Sequence, residues 1–474
     1  MDAFDRDAST SRQTMQQALW CNEISETTAL TERTWGHRMS LIVRGAMWIG
    51  LFLGVAVAPL VFAVIDISVP GRGFATEFSA ALGFVGLALM GLEFALVARF
   101  QAVAAPFGTD ALVQFHREIG LVGLAFILAH IAISAPWDLV IRLFADDTPA
   151  RVRWAVLATV ALLALIGSSL WRKQLRLSYE AWHLLHAVLA MVAIVAALMH
   201  VLLVDYYLSS TWKQALWILM SGAFVTLVIW VRIGKPIVQR RRPWIIEQVT
   251  HELGRTTTLT LRASGHDGFR FAPGQYGWFA IGRSPFSMTK HPFSFSSNGD
   301  AGGTIEVSIK SLGDFTSTVA DLEVGTTVYI DGPHGVFSPD LYEGPGFGLI
   351  AGGVGITPMV SILRTLAERG DRRPIVAYLA NQTWDQVTFR EALVELNDRL
   401  DLKIVHVLSH APDGWGGETG RIDADVLRRH LPPGYERWQF FVCGANPMMD
   451  AMEEALLALN VPPRRIHTER FDWV

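Results

Sequence analysis

The chain has 474 residues, of which 51% are hydrophobic and 18% charged, and its formal net charge is −4. A mean hydropathy of +0.31 is high for a soluble protein, and the length exceeds one ordinary core, so part of the chain is expected in lipid. The near-neutral charge argues against a nucleic-acid binder, and two distant cysteines, Cys21 and Cys443, argue against a disulfide framework or a cysteine metal site.

Residues 1–40 are polar and include Asp2, Asp5, Arg6 and Asp7, with no apolar run and no cleavage pattern. They read as a disordered cytoplasmic tail rather than a signal peptide. A membrane domain is expected over 41–233, where apolar stretches occur near 45–65, 76–98, 118–135, 154–171, 181–204 and 215–231. Several approach the ~20 residues of a spanning helix. Arg38, Arg44, Arg99, Arg117, Arg172, Lys173, Arg176, Arg232 and Arg240 fall on one side, against Arg72, Arg142, Arg151, Arg153 and Lys213 on the other. The positive-inside rule therefore predicts a multi-pass cell-membrane protein with the N-terminus and the region after 233 in the cytoplasm.

Over 240–341 short alternating runs, 256–262, 276–281 and 304–310, are separated by Gly, Pro and Asp and predict an antiparallel β-barrel. From 345 to 474 the rhythm becomes apolar strand (347–351), glycine turn, helix (358–367), strand (374–380), which predicts a doubly wound α/β domain. The fold class is thus a six-helix transmembrane bundle followed by a barrel and a nucleotide-binding sheet.

Five histidines lie in the apolar helices, and intramembrane ionisable groups point to function. His116 and His130 are fourteen residues apart on the third helix, and His186 and His200 repeat that spacing on the fifth. Fourteen residues turn a helix by about 1400°, within ~40° of four full turns, and rise about 21 Å. Each pair therefore shares a face at two depths, and helices three and five run in the same direction. His116 should face His186 near the cytoplasmic side, and His130 should face His200 near the outer side. Such level imidazole pairs suit two b-type haems ligated from both faces, which carry electrons and leave no open iron position. Taken singly, each histidine is as well explained by a bond to a backbone carbonyl. His183 lies about 100° off the His200 face and is left as a bundle or propionate-side residue. Arg117, Arg172, Lys173 and Arg176 suit either propionates or the positive-inside rule.

Residues 291–297 read HPFSFSS and 310–316 read KSLGDFT. Lys310 supplies a cation, Gly313 allows close approach, and Thr316 next to Phe315 offers a hydroxyl at a helix start, together a pyrophosphate cradle. Ser294 suits a hydrogen bond to an isoalloxazine or ribose group. Alone, HPFS reads as a turn and KSLGDFT as a strand end with a helix cap. AGGVGITP at 351–358 follows an apolar strand and opens a helix, so Gly352, Gly353 and Gly355 fit a dinucleotide site, although Thr357-Pro358 replaces the usual third glycine. Cys443-Gly444 ends the strand 440–444, where open α/β sheets bind ligands, although a buried cysteine is also an ordinary core residue.

In this order the motifs resemble the superfamily of NADPH oxidases and ferric-chelate reductases, from about Leu41 to Val474. The resemblance implies a ferric reductase-like haem domain joined to a ferredoxin-reductase-like module. It implies that His116 with His186 and His130 with His200 hold haems, and that His291, Pro292, Phe293, Ser294, Lys310, Gly313 and Thr316 hold FAD. Gly353, Gly355, Thr357 and Pro358 would meet the phosphates of NADPH or NADH, with Cys443 and Gly444 near the nicotinamide. Phe471 fits the terminal aromatic that covers the flavin, although Trp473 follows it. At 381–383 stands Asn-Gln-Thr where related NADPH users often place arginine, so NADH use is expected beside or instead of NADPH, with Arg421 a substitute partner. The implied reaction passes electrons to O2 or a ferric chelate on the outer face, with oxygen favoured and no obligate protein partner. Neither the 66–74 loop nor the 136–153 loop, with Trp137 and Arg142, contains a chelate-binding pattern. A haem sensor or ion conduit is the alternative from another class.

Overall fold

The computed structural model describes residues 42–65, 71–98, 100–104, 106–134 and 148–470. The expectations for the N-terminal tail, for Phe471 and Trp473, and for Trp137 and Arg142 lie outside the described residues. The chain divides into two units, Met1–Leu51 and Phe52–Val474, and the described part of the first is the opening of a long helix.

Six helices are long and apolar enough to cross a membrane: α1 (Ile42–Val64), α2 (Phe74–Leu96), α3 (Thr109–Ser134), α4 (Ala150–Leu170), α5 (Tyr179–Val204) and α6 (Thr211–Ile229). Large apolar side chains such as Val160, Leu184 and Leu219 face outward. That outer surface suits lipid, in which every backbone polar group must bond inside its own helix. The helix α3 begins well before the apolar run at 118 because its first turns carry Gln114, His116, Arg117 and Glu118, which hydropathy alone passes over. α6 does not stop at 231 either. It continues through a π-helical turn, Trp230–Gly234, into Lys235–Arg240 and so enters the following domain without a break.

Six antiparallel strands follow: β1 (Trp244–Glu252), β2 (Thr256–Ala263), β3 (Tyr276–Ile281), β4 (His291–Ser294), β5 (Thr304–Lys310) and β6 (Thr327–His334), in the order β4-β3-β6-β1-β2-β5. A bridge between Phe295 and Val307 and a bond from Ser296 N–H to Glu306 O join the β4 side to β5. HPFS is a strand here, not a turn. Pro292 is tolerated because β4 ends the strand order, where a missing N–H costs no ladder bond on the open side. Trp244, Ile246, Leu259, Phe279, Phe295 and Val307 fill the core of this sheet.

The last sheet is parallel, with β7 (Phe347–Gly352), β8 (Ile375–Asn381), β9 (Leu402–Leu408), β10 (Glu418–Thr419), β11 (Gln439–Cys443) and β12 (Ile466–Glu469) in the order β10-β9-β8-β7-β11-β12. Alternate residues of its strands bury both faces. Leu349, Ala377 and Phe441 pack with Met359 and Leu363 of α7 (Ile356–Glu368) and Leu393 of α8 (Arg390–Arg399). Ile350, Tyr378 and Phe440 pack with Leu427 of α9 (Ala424–His430) and Met452 of α10 (Asn446–Ala458). This double burial explains the nearly unbroken apolar runs of β7 and β11.

One face of α7 fastens the two soluble domains together. Ser361 Oγ donates to Ser297 O (2.8 Å), Gly299 N donates to Thr365 Oγ1 (3.0 Å), and Arg369 reaches Asp300 (2.8 Å) and Asp340 (2.6 Å). Positions 361, 365 and 369 are one turn apart, which places all three on the same side of the helix.

Candidate functional site

A cavity of about 960 Å³ separates α3 from α5, and His116 and His186 both line it. Their ring centres are 6.3 Å apart. Two imidazoles sharing one metal ion, with each nitrogen 2.0–2.1 Å from it, put their ring centres about 6 Å apart. The inner pair therefore has the spacing that a shared ion requires.

The second ring nitrogen of each histidine is equally informative. His200 Nδ1 donates to Arg151 O (2.9 Å) and His130 Nδ1 to Ser79 O (2.8 Å). Ser79 returns a hydroxyl bond to His130 O (2.9 Å). A Cβ at Gly83 would lie 3.0 Å from His130 Nδ1, so a glycine there admits the ring. His186 Nδ1 is 3.1 Å from Ser169 Oγ, whose own proton goes to Leu165 O (2.8 Å), so the hydroxyl accepts from the imidazole. His116 Nδ1 lies against the carboxylate of Glu93. Three of the four predicted ligands thus give Nδ1 to a protein acceptor, and the fourth, His116, sets its Nδ1 against a carboxylate, an arrangement that leaves Nε2 for a metal. This is the usual outer shell of a metal-bound histidine. Among the described residues no group of three or more His, Cys, Asp or Glu is placed to hold an ion.

His183 lines the same cavity as His116 and His186 but meets other partners. It stacks on Tyr179 and bonds Arg232 of the π-turn (3.1 Å). Of the basic residues singled out in the sequence, Arg117 lines the cavity, while Arg172 lies over Trp182 and Lys173 and Arg176 are exposed. The cavity instead receives Arg232, Lys235 and Lys290. Arg232 and Lys235 come there on the continuation of α6, and Lys290 from the segment just before β4. Lys235 bonds Ala98 O (3.1 Å) and approaches Asp331 (3.8 Å), and Lys290 bonds Gln239 (2.8 Å). Glu93 was also passed over, although an acid in an otherwise apolar helix was a legible signal.

Trp278 on β3 joins this cavity to the predicted flavin residues, because it lines the cavity and pairs with Pro292 of β4. Beside it, His291 stacks on Phe315 at 3.9 Å and 10°, while Phe293 packs nearby and Ser294 is buried. Burial first, then the charge of Arg283, holds the His291 imidazole below its ordinary pKa. Lys310 is likewise held below the lysine range by burial and then by Arg255. Thr316 differs from its expected role as a free hydroxyl donor. Its Oγ1 accepts from Gly313 N (2.8 Å) and Leu312 N (2.9 Å) and donates to Gly313 O (3.1 Å), so it shapes the turn before the one-turn helix Asp314–Ser317.

The strand order reverses between β7 and β11, the crevice where open α/β sheets take ligands. Gly352, Gly355 and Gly444 make this crevice by close packing rather than by exposing backbone. A Cβ at Gly355 would lie 2.1 Å from Cys443 O, and one at Gly352 would lie 2.3 Å from Met448 Sδ. Gly353 alone is left-handed (φ +54°), and Lys310 Nζ is 3.7 Å from its Cβ direction. Thr357 Oγ1, next to Pro358 at the start of α7, is buried with no hydrogen-bond partner among the described residues, as a hydroxyl awaiting a nucleotide would be. Cys443 is 3% exposed and belongs to the apolar cluster beneath α7.

The site is that of a helical membrane component feeding, or fed by, a flavin- and nicotinamide-binding pair of domains. Residues 82–197 match the ferric reductase like transmembrane component, 245–338 an FAD-binding domain, and 349–454 the oxidoreductase NAD-binding domain. That order of domains is the architecture of the NADPH oxidase and ferric reductase superfamily. NADH-cytochrome b5 reductase 1 of Debaryomyces hansenii is 34% identical over 172 residues, 34% of this chain and 59% of that one. The protein of the same name from Lodderomyces elongisporus is 36% identical over 168 residues, 34% of this chain and 55% of its own. The chain therefore spans little more than half the length of these relatives. Among solved structures, the flavohaem-like FAD/NAD-binding domain of nitric oxide dioxygenase from Vibrio cholerae is similar at 24% identity, covering 48% of this chain and 98% of that one, with a TM-score of 0.44.

Proposed function

We propose that the protein is a transmembrane oxidoreductase that takes electrons from NAD(P)H on the cytoplasmic side and delivers them to dioxygen at the outer face, giving superoxide. The carrying observation is that four histidines stand at matched helical spacing, three with Nδ1 bonded to a protein acceptor and His116 with Nδ1 against the Glu93 carboxylate, with the inner pair 6.3 Å apart beside residues of the flavin module. When bound, FAD would convert the hydride pair of NAD(P)H into single electrons, and two b-type haems would carry them one at a time.

The remaining roles belong to the chain. His116 and His186 would hold the inner iron, and His130 and His200 the outer one. His291, Phe293 and Phe315 make an aromatic platform for FAD, next to Pro292 and the buried Ser294, with Lys310 neutralising phosphate and Gly313 and Thr316 shaping the turn. The crevice built by Gly352, Gly353, Gly355 and Gly444 admits the dinucleotide. Thr357 bonds it, Pro358 opens the helix beneath it, and Cys443 backs the nicotinamide, with Phe471 as the residue that covers the flavin. Trp278 excludes water between the flavin platform and the inner cavity. With Gln382 where an arginine would serve a 2′-phosphate, and with relatives named as NADH-dependent, NADH is the preferred donor.

The match of residues 82–197 to a ferric reductase like component favours a second acceptor, a ferric chelate. Purification in detergent tests the first reading. A yellow-red preparation whose haem bands respond to NADH is expected, and a colourless one sinks the proposal in favour of a conduit. Superoxide-specific and ferrous-specific assays on that preparation then separate the two acceptors.

A further inference from the structure

The four histidines do not meet equivalent partners at Nδ1. His130 and His200 give Nδ1–H to backbone carbonyls, and His186 to a serine hydroxyl that Trp182 also approaches (3.3 Å). All three acceptors are neutral. His116 alone faces a carboxylate, that of Glu93, which reaches it from the neighbouring helix α2 and is itself buried (9% exposed). No cation of the chain forms an ion pair with Glu93 among the described residues. A buried acid in an apolar helix is costly unless a partner compensates it, and His116 is the partner the fold supplies.

From this asymmetry, and resting on the haem reading above, we propose that Glu93 is a positioning residue that lowers the reduction potential of the inner centre below that of the outer one. A carboxylate accepting Nδ1–H draws the imidazole toward imidazolate and makes Nε2 a stronger donor, whereas a carbonyl or hydroxyl does so less. A more strongly donating ligand favours ferric over ferrous iron, so the centre next to the flavin becomes the poorer electron holder. Electrons then run downhill from the inner pair to the outer pair, and the direction of transfer is written into the choice of one acceptor atom. Ser169, behind His186 of the same pair, contributes in the same sense through a weaker, neutral bond.

The test is a spectroelectrochemical titration of the full chain in detergent, with haem counted per polypeptide. Wild type should titrate in two components. Glu93→Gln keeps an acceptor for Nδ1–H but removes the charge, and should move only the lower component upward with both haems retained. Glu93→Asp should restore it part of the way, and Ser169→Ala should move the same component by less. Glu93→Ala, which removes the acceptor, should weaken inner haem binding by ~10–100-fold. Two unmoved components in a fully loaded Glu93→Gln protein, or a shift confined to the higher one, overturn the proposal while leaving the haem reading intact. If Glu93→Gln fails to accumulate, Glu93→Asp and Ser169→Ala decide, and unmoved potentials in both overturn it. A wild-type protein without haem overturns both readings at once.

Discussion

The membrane half and the soluble half place their functional groups by different means. In the bundle, reactive side chains sit on long regular helices, and two pairs of positions fourteen residues apart fix the geometry before any loop is considered. Each imidazole then meets one group of a neighbouring helix, by a hydrogen bond to Ser79, Arg151 or Ser169 or, for His116, by contact with the Glu93 carboxylate. In the soluble half the positions come from strand ends and turns. There the glycines of 352–355 and Gly444 matter because two loops must nearly touch. A helix tolerates variation between its functional positions, whereas a crevice between crossed loops depends on every backbone atom in it.

That contrast can be broken most directly in the membrane half. His186→Ala should remove one of the two proposed haems and cut NADH-driven reduction at the outer face by at least the ~100-fold seen when outer-shell groups of metal sites are lost. Haem content and steady-state reduction measured together check this, and an unchanged haem count would show that the pair is not a ligand set. In the soluble half Gly355→Ala should leave haem content alone but lower kcat/KM for NADH by roughly 10–100-fold. Its new Cβ meets Cys443 O, and overpacking costs about 1–3 kcal/mol. An unaltered kcat/KM would mean that the crevice is not the dinucleotide site.

A gain of function sharpens the comparison. Gln382→Arg should raise kcat/KM for NADPH about tenfold while changing NADH little, since one charge-assisted contact is worth about 1.4 kcal/mol. Equal effects on both nucleotides would place the 2′-phosphate elsewhere, with Arg421 the next position to test. The smallest effect concerns acid stability. Arg429, then His430, lowers the Glu418 carboxyl from 4.5 to about 2. A depressed acid stabilises the fold above its unfolded pKa and loses that contribution as pH falls through the folded value. Glu418→Gln should thus be less stable than wild type by under about 1 kcal/mol near neutrality, with the gap closing between pH 4.5 and 2. Acid unfolding of the two full chains reads that gap directly, and a gap independent of pH would remove the ion pair as its source.

Much of this architecture was legible in advance because it depends on period. Apolar length gave the six helices, and the strands at 256–262, 276–281 and 304–310 emerged within a residue of their expected bounds. Less regular signals were misread. HPFS read as a turn because proline usually ends strands, and only the strand order shows β4 at the open end where proline is harmless. Thr316 read as a ligand donor, but its hydroxyl is consumed by its own turn.

The sequence by itself determined which imidazoles lie on one helix, that six helices are long and apolar enough to span, and which glycine-rich turn opens a helix, because each follows from the repeat of a single element. Only the tertiary structure decided what sits behind each imidazole, that Arg232, Lys235 and Lys290 converge on the inner cavity, and that Glu93 faces His116. Those are contacts between elements far apart in the chain, set by how helices and loops pack, and no local period encodes them.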